Sequence, residues 1–157
     1  MVKETGILRP DTENRDRWGA AYHEAGHAVV AWALGLRVHR MVIGIAGDLT
    51  AGEADIEEKG SISLVDRIAI CSAGGDAQEL FDAPTNDICT ISDMGKIYDL
   101  IGDFNEPAGS CLRQIGFQKS REILKQHRDM VARLAQALVE RMELTEAEIN
   151  ALLSEPA

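Results

Sequence analysis

The sequence predicts an α+β fold: a mostly helical single domain with a small β-hairpin or sheet. Three observations lead there. Apolar residues recur at helical spacing over several long stretches. One region, residues 38 to 58, instead mixes β-branched residues with alternation around Gly47-Asp48. Finally, 157 residues, of which 45% are hydrophobic, suit one compact core. Aromatic residues make up only 4%, so that core must be built from Ala, Ile, Leu, Val and Met.

Residues 1–14 read as a peripheral arm and residues 15–157 as the folded domain. A helix is predicted from about Asp16 to Leu34, stopped by Gly35, because helices commonly end in a left-handed glycine. VHRMVIGIAG (38–47) and LTAGEADIEE (49–58) read as the two strands of a hairpin. A second helix fits 63–81, with Leu64, Ile68, Ser72, Gly75 and Glu79 roughly on one face. Its small residues Ser72, Ala73, Gly74 and Gly75 would let another helix approach closely. A third helix fits 91–104, opened by Thr90 and Asp93 and ended by NEPAGS. A long helix is expected over about 118–142, with the stripe Ile123, Leu124, His127, Val131, Leu134, Leu138 and Met142. Thr145 and Glu148 then form a capping box for a short final helix ending near Leu153.

Charge and composition exclude several functions. The formal net charge is −10 and no basic stripe is visible, which argues against nucleic acid as a partner. A metal cation suits an acidic chain better. No apolar run approaches the ~20 residues of a membrane span, and the first residues, MVKETGILRPD, lack the apolar core of a secretory signal. Cys71, Cys89 and Cys111 are odd in number and widely spaced, as expected of a reduced, cytoplasmic protein. They read as small buried hydrophobes. No CxxC pair exists, so a thiolate zinc site is not expected.

The chemistry concentrates in AYHEAGHAVVAW (21–32). On a helix, His23 and His27 lie on one face, one turn apart, at a spacing that lets both grip one ion. Glu24 is rotated by about 100° from His23, so it is free to reach a water rather than ligate. This is the H-E-x-x-H arrangement, with His23 and His27 as Zn2+ ligands and Glu24 as general base. Two imidazoles and a carboxylate buried without partners would cost several kcal/mol; a cation would supply the missing partner. A catalytic zinc usually has three protein ligands and one open position. The segment after His27 lacks the metzincin continuation HxxGxxH, so the third ligand is expected from a distant residue.

YHEAGHAVVAWALG followed by VHRMVIGIAG resembles the protease domain of FtsH-type zinc metalloproteases. The likeness continues in AGGDAQEL (73–80) and in the C-terminal stretch REILKQHRDMVARLAQALVERMELTEAEINALL, and so spans about residues 18 to 153. The resemblance implies a zincin-like metal helix and a third zinc ligand that is an aspartate opening a helix downstream of the A-G-G helix. Two aspartates compete for that place. Asp87, in TNDIC, matches the local letters of the family motif. Asp93, in TISDMGKIYDLI, sits nearer the family's distance from Gly75 and precedes apolar residues at helical spacing; it is preferred. Glu79 matches the glutamate of the A-G-G helix, and two roles stay open for it: orienting a zinc-bound histidine, or an exposed helix-end charge. His39 matches the family's V-H-[KR] and reads as structural; His127 reads as a hydrogen-bonded core histidine.

FtsH-type proteases carry a membrane anchor and an ATPase module, whereas this sequence contains no P-loop and no membrane span. The expected function is therefore a standalone, ATP-independent zinc metalloendopeptidase acting on a peptide or unfolded protein substrate. A separate ATPase or a homo-oligomer is the further partner to consider. The strand at 38–47 is expected to receive an extended peptide along an unpaired edge. The alternative is a catalytically inactive, metal-stabilised regulatory or interaction domain; Glu24 argues against it, because a purely structural site has no need of a general base.

Overall fold

The first helix is the axle of the molecule. In the computed structural model, which describes the backbone of residues 2–102 and 106–156 and the side chains from residue 12 onward except at positions 87 and 106, α1 (Val2–Ala33) runs beside α2 (Leu64–Leu80) and α5 (Arg128–Arg141) and under a three-stranded antiparallel sheet. Its second half is apolar almost all round: Ala20, Ala21, Ala25, Ala28, Val29, Val30 and Ala31 are all buried. A helix with this pattern belongs at the centre of a fold, covered on every side. The backbone of the expected arm is helical and continuous with the motif helix, so α1 begins at Val2 rather than near Asp16. Gly35 follows with φ 87°, the left-handed stop that the sequence predicts.

The sheet has the order β2-β1-β3, from β1 (Val38–Ile43), β2 (Gly52–Ile56) and β3 (Glu143–Thr145). Both hairpin strands are shorter than expected. Gly44, Ala46 and Gly47 all take positive φ, turning the chain through a single 3-10 turn at Ile45–Gly47 instead of a tight hairpin at Gly47-Asp48. β3 lies in a stretch read as a connection between helices, and it pairs with Arg40–Val42 of β1. The expectation of an unpaired edge on β1 is therefore corrected: β1 is central, and among the described residues the free edges belong to β2 and β3.

The other helices follow the expected order with shifted limits. α2 is capped by Ser63, whose side chain accepts from the Asp66 N–H. Its buried face is Ile68, Ala69, Ala73, Gly74, Ala77 and Gln78, one position off the face predicted through Ser72, Gly75 and Glu79. α3 (Asp87–Ile101) starts earlier than predicted. Asn86 caps it, accepting from the Ile88 N–H at 2.9 Å, so Thr90 and Asp93 sit inside the helix and do not open it. The long C-terminal helix is two: α4 (Glu106–Gln126) and α5, hinged at His127 with φ −113° and ψ 30°. The hinge turns the chain from the α2 side to the α1 side, and the His127 ring meets the edge of Trp32 at 5.5 Å instead of lying on one continuous stripe. The capping box of Thr145 and Glu148 opens α6 (Glu146–Ser154) as predicted.

Two apolar clusters result. The main one joins α1, β1, α2, α4, α5 and α6. A smaller one, Ile68, Ile97 and Ile101 with Met94, Leu100 and Phe117 against it, fastens α3 to α2 and α4. The three cysteines are free as expected, but Cys111 is exposed, Cys89 is partly covered, and Cys71 is partly covered at the edge of the smaller cluster. No described helix is long and apolar enough to cross a membrane.

Glycines give a test of the packing. A Cβ at Gly26 would collide with the Ala73 carbonyl and the Ala77 Cβ, whereas one at Gly95 on α3 would meet nothing within 4 Å. Alanine is the better helix former by roughly 1 kcal/mol, so Gly95→Ala should stabilise the protein by about 0.5–1 kcal/mol. Gly26→Ala should instead destabilise it by about 1–3 kcal/mol through overpacking. Denaturant midpoints of the two variants check the opposite signs.

Candidate metal centre

His23, Glu24 and His27 lie on a well-covered stretch of α1, with α2 beneath them, β2 alongside and α3 across. His23 and Glu24 are only 4% and 5% exposed. The two rings reach the same point: their Nε2 atoms lie 3.1 Å apart, with the ring planes nearly perpendicular. The third group there is Asp93. Its Oδ2 lies 2.9 Å from His23 Nε2 and 3.2 Å from His27 Nε2. Because α3 starts at Asp87, Asp93 falls on the face turned toward α1, opposite the exposed Ile88 and Tyr98. The Asp87 side chain lies outside the described residues. Among the described residues, His23, His27 and Asp93 form the one group of three or more His, Cys, Asp or Glu side chains whose donor atoms could share an ion.

This donor set fits a small divalent cation. Zinc bonds of about 2.0–2.2 Å at tetrahedral angles set neighbouring donor atoms roughly 3.3–3.5 Å apart. The three separations found here are a few tenths of an ångström tighter. Two imidazole nitrogens and one carboxylate oxygen are also the donor types that zinc accepts at catalytic sites. The floor is shaped for them: a Cβ at Gly74 would stand 2.5 Å from His27 Nε2 and 2.6 Å from His23 Nε2. Small residues were expected here for helix approach; Gly74 additionally leaves the space the rings occupy.

The electrostatics favour positive charge at this point. Burial disfavours a charged His27 ring, but the contact with Asp93 and the charges of Glu24 and Asp93 outweigh it and raise the His27 pKa. Burial likewise works to raise Asp93, yet its contacts with His23 and His27 prevail and hold its carboxyl well below the usual carboxylate range. Glu24 behaves in the opposite way. Burial is its dominant influence and lifts its pKa above the ordinary value, although both histidines pull it down. The two carboxylates thus have different characters: Asp93 stays ionised in contact with the two rings, and Glu24 holds a proton more readily.

Glu24 does not reach the convergence point of the other three. It faces the start of β2, where a Cβ at Gly52 would lie 2.7 Å from Glu24 Cγ and 3.0 Å from its Oε1. The Cys89 thiol, 3.8 Å from the Thr50 carbonyl, ties α3 to the chain just before that strand. Lys96, largely exposed, stands with Nζ 3.9 Å from Asp93 Oδ1.

The outer ring nitrogens are also engaged. His27 Nδ1 donates to the Ile70 carbonyl of α2 at 2.7 Å, and His23 Nδ1 lies 2.9 Å from Gln78 Oε1. Glu79, the residue matched to the family glutamate, is exposed and takes no part in this site. The side chain of α2 that meets the His23 ring is instead its neighbour Gln78, which is 2% exposed. The signal for Gln78 was the buried face of α2, misread by one position. His39 is partly exposed and 3.6 Å from Glu146, away from the site, in keeping with a structural reading.

Gly74→Ala and Asp93→Asn are each expected to abolish stoichiometric zinc uptake, the first by displacing both rings and the second by removing the anionic donor. Elemental analysis after dialysis against zinc reads both. Circular dichroism of the same samples confirms that the helices persist. In comparisons with known proteins, no protein-family model and no curated protein matches this chain.

Proposed function

We propose that this chain is a zinc-dependent metallopeptidase of the kind its HEAGH motif resembles, the FtsH-type protease domain. The observation that carries the reading is the convergence of His23 Nε2, His27 Nε2 and Asp93 Oδ2 within 3.2 Å, with a buried carboxylate, Glu24, next to them on the same turn. His23, His27 and Asp93 would hold the ion. When bound, zinc supplies Lewis acidity, which brings the pKa of a water in its open position toward ~7.

The rest falls to the protein. Glu24, with its pKa raised by burial, would be the proton carrier: its carboxylate would take a proton from the attacking water and, once protonated, would give it to the leaving amine. A base of raised pKa suits this double duty, since it must both take and give within one turnover. Asp93 balances the charge of the centre. Lys96, on its flexible stem, can approach negative charge that develops on the carbonyl oxygen.

Two features suit an extended peptide substrate. Among the described residues β2 pairs on one side alone, with β1, so its other edge offers backbone groups for strand addition, and it starts beside Glu24. Past its far end lies a groove of about 790 Å³, with Leu36, Ile56, Ile62, Ile70 and Leu100 along its apolar floor and Lys96 at its rim. Such a groove accommodates one or more bulky side chains.

The test is proteolysis of an unfolded protein such as casein, by the zinc-loaded protein. Cleavage is expected, to stop with a chelator and to return with zinc. Glu24→Gln should keep its zinc and lose activity by about 10²–10⁴-fold, the usual contribution of a positioned general base. A wild-type protein that holds zinc and cleaves no unfolded substrate would overturn the peptidase reading in favour of a metal-stabilised interaction domain.

A further inference from the structure

Gln78 makes three hydrogen bonds from a fully enclosed position. Its Oε1 faces His23 Nδ1 at 2.9 Å, while its Nε2 donates to the Gly19 carbonyl at 3.2 Å and to the Pro84 carbonyl at 2.7 Å. Both partners of Nε2 are backbone carbonyls, which only accept. The carboxamide therefore cannot be turned over: its NH2 must point at Gly19 and Pro84, and its oxygen must point at His23. An oxygen acceptor at that place requires a proton on His23 Nδ1. The neutral ring is thereby fixed as the Nδ1–H tautomer, with the Nε2 lone pair directed at His27 and Asp93.

The same amide reaches beyond His23. Gly19 belongs to α1, one turn before His23. Pro84 belongs to the loop that leads to Asn86, the cap of α3, and so to Asp93. Gly19 and Pro84 are themselves in contact, since a Cβ at Gly19 would lie 2.5 Å from the Pro84 oxygen. One side chain thus sets the ring orientation of one ligand and the position of the loop that delivers another.

We infer that Gln78 is a positioning residue for the metal centre: its carboxamide selects the metal-binding tautomer of His23 and registers the α3 loop against α1. This rests on the proposed zinc site. A glutamate, the usual partner of a ligating histidine, cannot serve here, because a carboxylate would set an anionic oxygen against two carbonyl oxygens. Glutamine is the residue that can accept from the ring and donate twice to backbone.

The experiment separates the two roles and stands apart from catalysis. In the metal-free protein, ¹⁵N spectra of labelled histidine are expected to show His23 with its proton on Nδ1. Gln78→Met, similar in size and apolar, should lose that tautomer preference. It should also bind zinc about 10–100-fold more weakly in a chelator competition, the usual cost of removing such a support. Gln78→Glu should keep the Nδ1–H tautomer and still bind zinc more weakly, through the disturbed loop. Circular dichroism and the thermal midpoint identify any variant that fails to fold; for such a variant Gln78→Asn, which shortens the reach while keeping the amide, replaces it and is expected to weaken zinc binding likewise. Folded Gln78→Met with wild-type tautomer and wild-type zinc affinity would overturn the inference. Failure of the wild-type protein to take up zinc would instead overturn the metal reading, while the tautomer spectra would still decide whether Gln78 fixes the ring.

Discussion

The closeness of α1 and α2 is the constraint from which the rest of the site follows. Gly26 of α1 rests on the backbone of α2 at Ala73, and Gly74 of α2 lies under the rings of His23 and His27. Two glycines, one on each helix, bring the axes near enough for α2 to serve as floor and as hydrogen-bond partner at once. The Ile70 carbonyl and the Gln78 side chain reach the outer nitrogens only at this separation. A wider spacing would leave buried imidazole N–H groups without acceptors, a cost of several kcal/mol. The ring geometry is thus a consequence of backbone contact made elsewhere on the same two helices.

Much of this was legible in the sequence because short-range chemistry decides it. The H-E-x-x-H spacing, the stop at Gly35, and the Thr145–Glu148 box each depend on residues within four positions of one another. What remained hidden depended on long-range contact. β3 is three residues long and exists because Met41 and its neighbours need a second partner strand. The break at His127 has no proline or glycine to announce it; it arises because α4 packs against α2 while α5 packs against α1. Asp93 projects toward both rings from the second turn of α3 and does not open the helix, because Asn86 caps it earlier than the sequence suggests. Gln78 was missed in favour of Glu79 because a helix face read from composition alone is uncertain by one residue, and one residue is about 100° of rotation.

The pair of acidic groups shows how one small volume assigns different duties to similar side chains. Glu24 and Asp93 are both largely covered, at 5% exposure for the residue and 13% for the side chain. Asp93 lies in contact with two ring nitrogens, and that contact outweighs desolvation. Glu24 faces a glycine and the start of a strand, so desolvation dominates. The difference originates in their elements: α3 delivers Asp93 onto the rings from outside, while α1 carries Glu24 past them toward the sheet.

The two clusters of apolar side chains leave α3 in a particular mechanical position. His23 and His27 ride on α1, which runs through the main core, whereas Asp93 rides on a helix secured by the smaller group around Ile68, Ile97 and Ile101. A cation held by all three would therefore brace α3, with its smaller cluster, against the deeply seated α1. With zinc bound as proposed, occupancy and the docking of α3 would be linked: whatever loosens α3 would weaken the hold on the ion, and binding would favour the docked helix.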